Sequence, residues 1–196
     1  MSWLFNVYLS YLYPRKLKSK LVVLILAIIV GTIIGLDQWS KIAVRNNLAL
    51  GETWVPWDWL APYARVVHWY NTGVAFGMFQ NQNTLFAILA VIVALAIIYI
   101  YPSVPSEDWS LRLAMAMQLG GAGGNLVDRL TIGHVTDWFS VGKFPVFNIA
   151  DSCVSVGVGV LLLGVWLQER KNKAENAAKS NLFPIVDTPL EEEGTH

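Results

Sequence analysis

The sequence predicts an all-α integral membrane fold, a bundle of four transmembrane helices, and three observations support this prediction. Hydrophobic residues make up 55% of the 196 residues and charged residues only 14%, whereas an average soluble domain is about 25% charged. Four apolar segments divide the chain, and basic residues cluster outside the first and the last of them. Charge is costly in lipid, so this composition is typical of a membrane protein. The net charge of zero gives no sign of a nucleic-acid partner.

The apolar segments cover residues 21–36, about 84–101, about 111–127 and about 147–167. A helix needs roughly 20 residues to cross the hydrocarbon layer. The second and fourth segments satisfy this length, and the first does so with its flanks. The third is weak because it contains Arg112, Gln118 and the glycine-rich run 120–124. The first segment has the basic start of a signal peptide, but no small-residue cleavage site follows it, so we expect an uncleaved helix.

Basic residues predict the topology, because they favour the cytoplasmic side of a membrane. Four precede the first segment and four follow the last: Arg15, Lys16, Lys18, Lys20, Arg170, Lys171, Lys173 and Lys179. Both termini are therefore expected in the cytoplasm, which requires an even number of crossings and supports the weak third helix. We expect a cytoplasmic segment over residues 1–20, a membrane domain over 21–167 with an outer loop at about 41–83, and a disordered polar cytoplasmic tail over 168–196.

The outer loop is rich in aromatic residues, with Trp54, Trp57, Trp59 and Trp69. Tryptophan favours the membrane–water interface, so these side chains could be anchors or a surface that contacts a ligand. The run 65–70 is β-branched and aromatic, which predicts a short strand. A small extracytoplasmic β-element is therefore expected beside the helices.

Aspartates gather at the outer side of the predicted bundle. Helices one and three are expected to run outward and helix four inward. This arrangement brings four aspartates to one level: Asp37, Asp128, Asp137 and Asp151. Asp37 precedes Lys41 by four residues and can form an ion pair with it. Asp128, next to Arg129, is typical of a helix end. Asp151 has no basic neighbour within a helical turn, and an ionisable group at that depth is usually functional.

Two carboxyl groups held close together share one proton. The ionised group can deprotonate a water, while the protonated group polarises a carbonyl and later protonates a leaving amine. Such a pair hydrolyses a peptide without a metal. A serine or cysteine mechanism would need His68 or His134 within reach, and neither lies in a nucleophile motif. Two other classes stay open: a transporter or proton relay, and a non-catalytic binding or assembly protein.

Five short motifs resemble those of the lipoprotein signal peptidase (signal peptidase II) family. Residues 37–41 resemble D-Q-x-[ST]-K, and residues 71–76 resemble N-T-G-x-A-[FW]. Residues 120–129 resemble G-G-A-x-G-N-x-x-D-R, residues 135–139 resemble V-V-D-F, and residues 147–152 match F-N-x-A-D-S. Each motif is weak alone, but all five occur in the order of the family.

The resemblance implies a specific activity and site. The family has four transmembrane helices and an outer β-element, and it removes signal peptides from prolipoproteins by cutting before a cysteine that carries diacylglycerol. The implied catalytic pair is Asp137 and Asp151, with Asp128 as the alternative partner of Asp151. The supporting or substrate-binding residues implied are Asp37, Lys41, Asn71, Gly73, Asn125, Asp128, Arg129, Asn148 and Ala150.

The resemblance also implies the setting of the enzyme. We expect a monomer in the bacterial cytoplasmic (inner) membrane, with its active site near the outer face. Its partners would be the prolipoprotein and membrane lipids, with no metal or organic cofactor. Two features depart from the family: Thr136 and Trp138 replace the usual valine and phenylalanine, and the segment from Asp137 to Asn148 is short.

Overall fold

The computed structural model describes residues 15–73, 80–105 and 107–182. Four long helices and one three-stranded sheet build this part of the chain. In chain order the elements are α1 (Arg15–Asn47), β1 (Thr53–Trp54), β2 (Ala64–Asn71), α2 (Asn83–Ile100), α3 (Trp109–Thr131), β3 (Val135–Val141) and α4 (Ile149–Leu182).

Three helical stretches are long and apolar enough to cross a membrane: Lys20–Asn47, Asn83–Ser103 and Ile149–Ala174. They correspond to α1, to α2 with the short 3-10 turn after it, and to α4. Helix α3 forms where the weak third segment predicted it, but its composition keeps it outside this set. The predicted four helices are therefore present among the described residues, whereas only three have the composition of a membrane span.

The apolar faces of these helices point away from the protein. Leu95 on α2 is 62% exposed and Leu162 on α4 is 64% exposed. In water such continuous apolar surface would be unfavourable. These faces fit the lipid-facing side of a membrane bundle, in which a small internal core joins the helices. That core contains Leu26, Ile97, Tyr101, Ala116 and Leu119.

Glycines allow α3 to lie close to its neighbours. A Cβ atom on Gly121 would lie 2.5 Å from the carbonyl oxygen of Ala150 on α4, and one on Gly124 would lie 2.6 Å from Oδ2 of Asp37 on α1. Small residues commonly permit such close helix contact. The glycine-rich run 120–124 therefore serves close packing of the helices.

The sheet has the order β1-β2-β3, and both pairs of strands are antiparallel. Strand β2 confirms the short strand predicted over residues 65–70. Asp137 was expected in a loop between helices, but it lies in β3, opposite Trp69. The irregular register between Val66 and Trp69 sets which side chains of β2 meet β3 near this residue.

The prediction of a disordered tail from residue 168 is wrong over residues 168–182, because α4 continues to Leu182. The segment is rich in good helix formers such as Glu, Lys and Ala. An ion pair between Lys173 Nζ and Glu169 Oε1, 2.7 Å apart and four residues apart in sequence, also supports the helix. Residues 183–196 and 1–14 lie outside the described residues.

Candidate active site

Asn148 joins Asp137 and Asp151. Its Nδ2 donates a hydrogen bond of 2.7 Å to Oδ1 of Asp137, and its Oδ1 accepts one of 2.9 Å from the backbone N–H of Asp151. Its own backbone N–H donates to Oδ2 of Asp151 at 3.3 Å. One amide side chain, at the entry to α4, thus links the carboxyl group on β3 to the carboxyl group in the first turn of α4.

Two further asparagines complete this arrangement. Asn71 Nδ2, from the end of β2, donates to Oδ2 of Asp137 at 2.9 Å. Asn125 Nδ2, from α3, donates to Oδ1 of Asp151 at 2.8 Å. Asn125 and Asn148 thus hydrogen-bond the two carboxyl groups, and each aspartate is held from two different elements.

Asp137 is 1% exposed. Burial, followed by the nearby carboxylate of Asp151, raises the pKa of Asp137 to about 7, and the hydrogen bonds from Asn71 and Asn148 oppose this rise. Burial disfavours the charged form because a low-dielectric interior solvates it poorly. Asp137 can therefore hold a proton near neutral pH, which an ordinary aspartate does not.

Lys41 is the centre of a second, fully buried network. Its Nζ lies 2.8 Å from Asp37 Oδ2 and 3.1 Å from Asp128 Oδ2, and it donates to Oδ1 of Asn125 at 2.9 Å. The predicted ion pair of Asp37 with Lys41 is confirmed. Asp37 Oδ1 also accepts the backbone N–H of Ala150 at 3.0 Å, which ties α1 to the start of α4.

Asp128 forms no ion pair with its sequence neighbour Arg129. Its partners are on α1: Lys41, and Arg45 at 3.4 Å. Arg129 instead points to the carboxyl pair and donates to the carbonyl oxygen of Gly73 at 3.4 Å. Its buried Nε has no hydrogen-bond partner among the described residues.

A cavity of about 520 Å³ opens beside Asp151, whereas the buried Asp137 is not among the described residues that line it. Its polar wall has Asp151, Arg129 and the two asparagines from β2 and α3, and its apolar wall comes from the loop before α4 and from α4 itself. The described residues that line it are Asn71, Gly73, Asn125, Arg129, Val135, Phe144, Pro145, Val146, Phe147, Asp151, Ser152, Val154, Ser155 and Val156. A ligand with one polar and one apolar part fits such a cavity.

The two candidate histidines take other positions. Nδ1 of His68 lies 2.9 Å from the carbonyl oxygen of Leu48, and the ring of His134 lies 3.8 Å from that of Tyr70, between centroids. Neither is among the described residues that line the cavity. A histidine-dependent nucleophile therefore gains no support here. The described residues also contain no group of three or more His, Cys, Asp or Glu side chains placed to hold a metal ion.

One contact at the site was missed by sequence reasoning. Arg45 donates to the hydroxyl of Thr136, and Thr136 lies next to Asp137. The signal for Arg45 was present, because it follows Lys41 by four residues and so lies on the same face of α1. The last three residues of the second motif, 74–76, lie outside the described residues.

Fold and site together define a class of protein. It is a helical membrane protein with two carboxyl groups, joined through Asn148, next to a cavity that is partly polar and partly apolar. The sequence model of signal peptidase (SPase) II matches residues 28–167. The chain therefore belongs to the signal peptidase II family, and it is a peptidase of a bacterial membrane. Membership favours this class over the transporter and the assembly protein that the sequence had left open.

Relatives cover most of the chain. It is 36% identical to the lipoprotein signal peptidase of Desulfitobacterium hafniense over 147 residues, and these aligned residues cover 74% of this chain and 95% of the relative. It is 44% identical over 132 residues to that of Dehalococcoides mccartyi, spanning 65% of this chain and 80% of the relative. The fold is similar to a bacterial membrane enzyme solved by the in meso method, with a TM-score of 0.68, 25% identity, and 76% and 90% of the two chains covered.

Proposed function

We propose that this protein is an aspartyl endopeptidase that removes signal peptides from diacylglyceryl-modified prolipoproteins, with Asp137 and Asp151 as its catalytic residues. The observation that carries the proposal is the pair of carboxyl groups linked by Asn148 beside the cavity. One of them, Asp137, has a pKa raised to about 7 and can hold the shared proton.

The proposed reaction uses the two carboxyl groups in different states. Ionised Asp151 accepts a proton from a water, whose oxygen attacks the scissile carbonyl carbon. Protonated Asp137 donates a hydrogen bond to the carbonyl oxygen and stabilises the charge that develops there. Collapse of the tetrahedral intermediate breaks the C–N bond, and a proton from the carboxyl pair goes to the leaving amine.

The other two buried aspartates are poor candidates for this chemistry. Asp37 and Asp128 both contact Lys41, and Asp128 also contacts Arg45. Their carboxyl groups are thus engaged in ion pairs, whereas the side chains that hydrogen-bond to the carboxyl groups of Asp137 and Asp151 among the described residues are those of asparagines. This pairing favours Asp137 over Asp128 as the partner of Asp151.

The cavity supports the substrate class. Arg129 lines the cavity, where its guanidinium group can bind a backbone carbonyl of the signal peptide. Phe144, Phe147 and Val154 form apolar wall that suits an acyl chain. We further propose that the cut falls before the lipidated cysteine, with the lipid on the apolar side of the cavity.

We also propose that α3 crosses the membrane, although its composition is weak for a span. Its polar residues face protein: Asn125 contacts Asp151 and Lys41, and Arg112 donates to the carbonyl oxygens of Val104 and Pro105. Polar groups inside a membrane protein are tolerated when they are paired. With four crossings, both termini are cytoplasmic and the site lies near the outer face.

The test is cleavage of a purified diacylglyceryl-modified prolipoprotein in detergent, with a chelator present. We expect one cut before the lipidated cysteine. Asp137→Asn and Asp151→Asn should each lose activity by a factor of about 10³ or more, because each removes one role of the pair. Asp58→Asn, an exposed aspartate on the outer loop, is the matched control and should retain full activity.

Two results would contradict the proposal. Near wild-type turnover by Asp137→Asn would remove Asp137 from the pair and direct attention to Asp128. No cleavage by folded wild-type protein would mean that this chain does not carry the activity of its relatives on this substrate.

A further inference from the structure

Near its C-terminal end, α1 contacts the strand that carries Asp137 through the side chain of Arg45. Its Nη1 donates a hydrogen bond of 3.0 Å to the hydroxyl of Thr136 and lies 3.4 Å from Oδ1 of Asp128. Arg45 belongs to none of the five motifs, and the family motif has valine where this chain has Thr136. The hydroxyl that Arg45 contacts is therefore not part of the motif that this segment resembles.

Thr136 is held at each of its polar groups. Its backbone N–H donates to Oδ2 of Asp128 at 3.0 Å, and its carbonyl oxygen accepts from Asn148 Nδ2 at 3.4 Å. Its hydroxyl accepts from Arg45, and the residue is fully buried. Since buried polar groups cost free energy when they lack partners, this set of bonds fixes the position of Thr136 closely.

Neighbouring residues of a strand point to opposite faces of the sheet. The side chain of Thr136 meets Arg45 of α1, and that of Asp137 meets Asn148 at the start of α4. A shift of Thr136 toward or away from α1 would therefore move Asp137 relative to Asp151. Small displacements of reacting groups lower catalytic rates strongly.

We propose that Arg45 is a positioning residue for the reaction. Through the hydroxyl of Thr136 and the carboxylate of Asp128 it fixes strand β3, so that Asp137 keeps its position relative to Asp151. The role of Asp137 in this proposal rests on the proposed function, whereas the claim that Arg45 fixes strand β3 does not. Nη1 has two protons, one for each acceptor. A lysine at position 45 keeps the charge and can replace part of the contact.

The experiment compares four variants in detergent: Arg45→Met, Arg45→Lys, Thr136→Val and Thr136→Ser. Controls are Arg65→Met and Thr53→Val, which change the same residue types at exposed positions of the same sheet. Steady-state cleavage gives kcat and KM, and hydrogen–deuterium exchange gives the protection of the peptide that covers residues 135–141.

We expect Arg45→Met and Thr136→Val to lower kcat about tenfold, with KM within about twofold of wild type, because geometry changes and substrate contacts do not. Arg45→Lys and Thr136→Ser should recover most of the loss. The double variant Arg45→Met/Thr136→Val should be no worse than the poorer single variant, since both act on one contact. Exchange should rise in residues 135–141 and stay unchanged in the first turns of α4.

The outcomes separate the two proposals. Unchanged exchange in β3, or equal kcat losses in the exposed control variants, overturns the positioning role whatever the activity of the enzyme. The positioning role is also overturned if the wild type is active, Asp137→Asn is inactive and Arg45→Met is fully active. The proposed function stands in that case. If the wild type does not cleave, the exchange data alone decide whether Arg45 fixes β3.

Discussion

In the proposed mechanism, the buried carboxyl group of Asp137 couples stability to catalysis. A carboxyl group that is 1% exposed and lies near a second carboxylate is poorly placed to ionise. The hydrogen bonds from Asn71 and Asn148 reduce this cost without removing it. Active sites commonly keep such unfavourable arrangements because the chemistry requires them.

The raised pKa predicts how stability depends on pH. The folded-state pKa of Asp137 is about 7, against an ordinary 3.8. Below the ordinary value the group is protonated in both states and costs nothing. As the pH rises from 3.8 to about 7, Asp137 ionises more readily in the unfolded chain than in the folded protein, so the free energy of unfolding falls. Asp137→Asn does not titrate, and its advantage in melting temperature over wild type should therefore be larger at pH 8 than at pH 5.

Thermal unfolding of both proteins in one detergent at the two pH values measures this difference. Constant effects of the amide, such as altered hydrogen bonds to Asn71, cancel when the two pH values are compared. Asp58→Asn, which is exposed, should show no comparable pH dependence. An advantage that stays constant or shrinks at pH 8 would contradict the raised pKa.

At this scale the sequence predicted the candidate site residues by motif, but few of their contacts. Asp151 was singled out because it had no basic neighbour within a helical turn, and the structure gives it amide partners instead. Arg45 and the hydroxyl of Thr136 were missed, because their contact joins residues 91 positions apart. No local pattern encodes a pairing at that separation.

At the scale of elements, α3 is the helix on which the arrangement depends. It lies against α1 through Gly124 and against α4 through Gly121. It therefore has little room for side chains on these faces, and it carries Asn125, Asp128 and Arg129 near its C-terminal end. Low hydropathy follows from this use: a helix that is enclosed by protein and supplies polar groups cannot also be uniformly apolar.

The glycine contacts predict a selective effect of one methyl group. In Gly121→Ala the new Cβ would lie 2.5 Å from the carbonyl oxygen of Ala150 and 2.7 Å from a methyl of Val154, so α3 and α4 must separate. We expect a loss of about 1–3 kcal/mol in the free energy of unfolding. Activity should fall as well, because Ala150 precedes Asp151.

Gly35→Ala is the matched control, since a Cβ there meets nothing within 4 Å. An alanine in a helix interior is favoured over glycine by up to about 1 kcal/mol, so this variant should be as stable as wild type or more so. Thermal unfolding and cleavage of both variants test the idea. Equal behaviour of Gly121→Ala and Gly35→Ala would show that α3 and α4 can relax without cost.

Element prediction from sequence succeeded where the hydrophobic pattern was strong and was incomplete elsewhere. Helices α1, α2 and α4 and strand β2 follow from runs of apolar or β-branched residues. Strand β3 was not predicted, because its residues gain their conformation from pairing with β2. Helix α4 passes the end of its apolar segment because helix propensity and the pair Glu169–Lys173 continue it.

At the scale of the whole molecule, the basic residues and the aspartate cluster lie at opposite ends of the helices. Lys20 begins the span of α1, and Asp37, Lys41 and Arg45 follow toward its C-terminal end. The basic end of α4 lies beyond residue 168, whereas Asp151 lies in its first turn. In the proposed topology, the positive-inside rule places the carboxyl pair on the outer side.

This topology predicts a pattern of chemical labelling in a background where the single cysteine is removed by Cys153→Ala. A membrane-impermeant maleimide added to intact spheroplasts should label Asp58→Cys on the outer loop. It should label Lys20→Cys and Lys173→Cys only after the membrane is permeabilised, because both flank spans on the cytoplasmic side. All three positions are exposed in the structure, so a lack of labelling reports the membrane rather than burial in the protein.

The comparison of Lys20→Cys with Lys173→Cys tests the crossing of α3 directly. If α3 does not cross the membrane, the three remaining spans place these positions on opposite sides, and one of them is labelled in intact spheroplasts. Equal protection of both requires an even number of crossings and therefore a fourth. Each variant must first retain cleavage activity, which ensures that the labelled protein has the topology of the working enzyme.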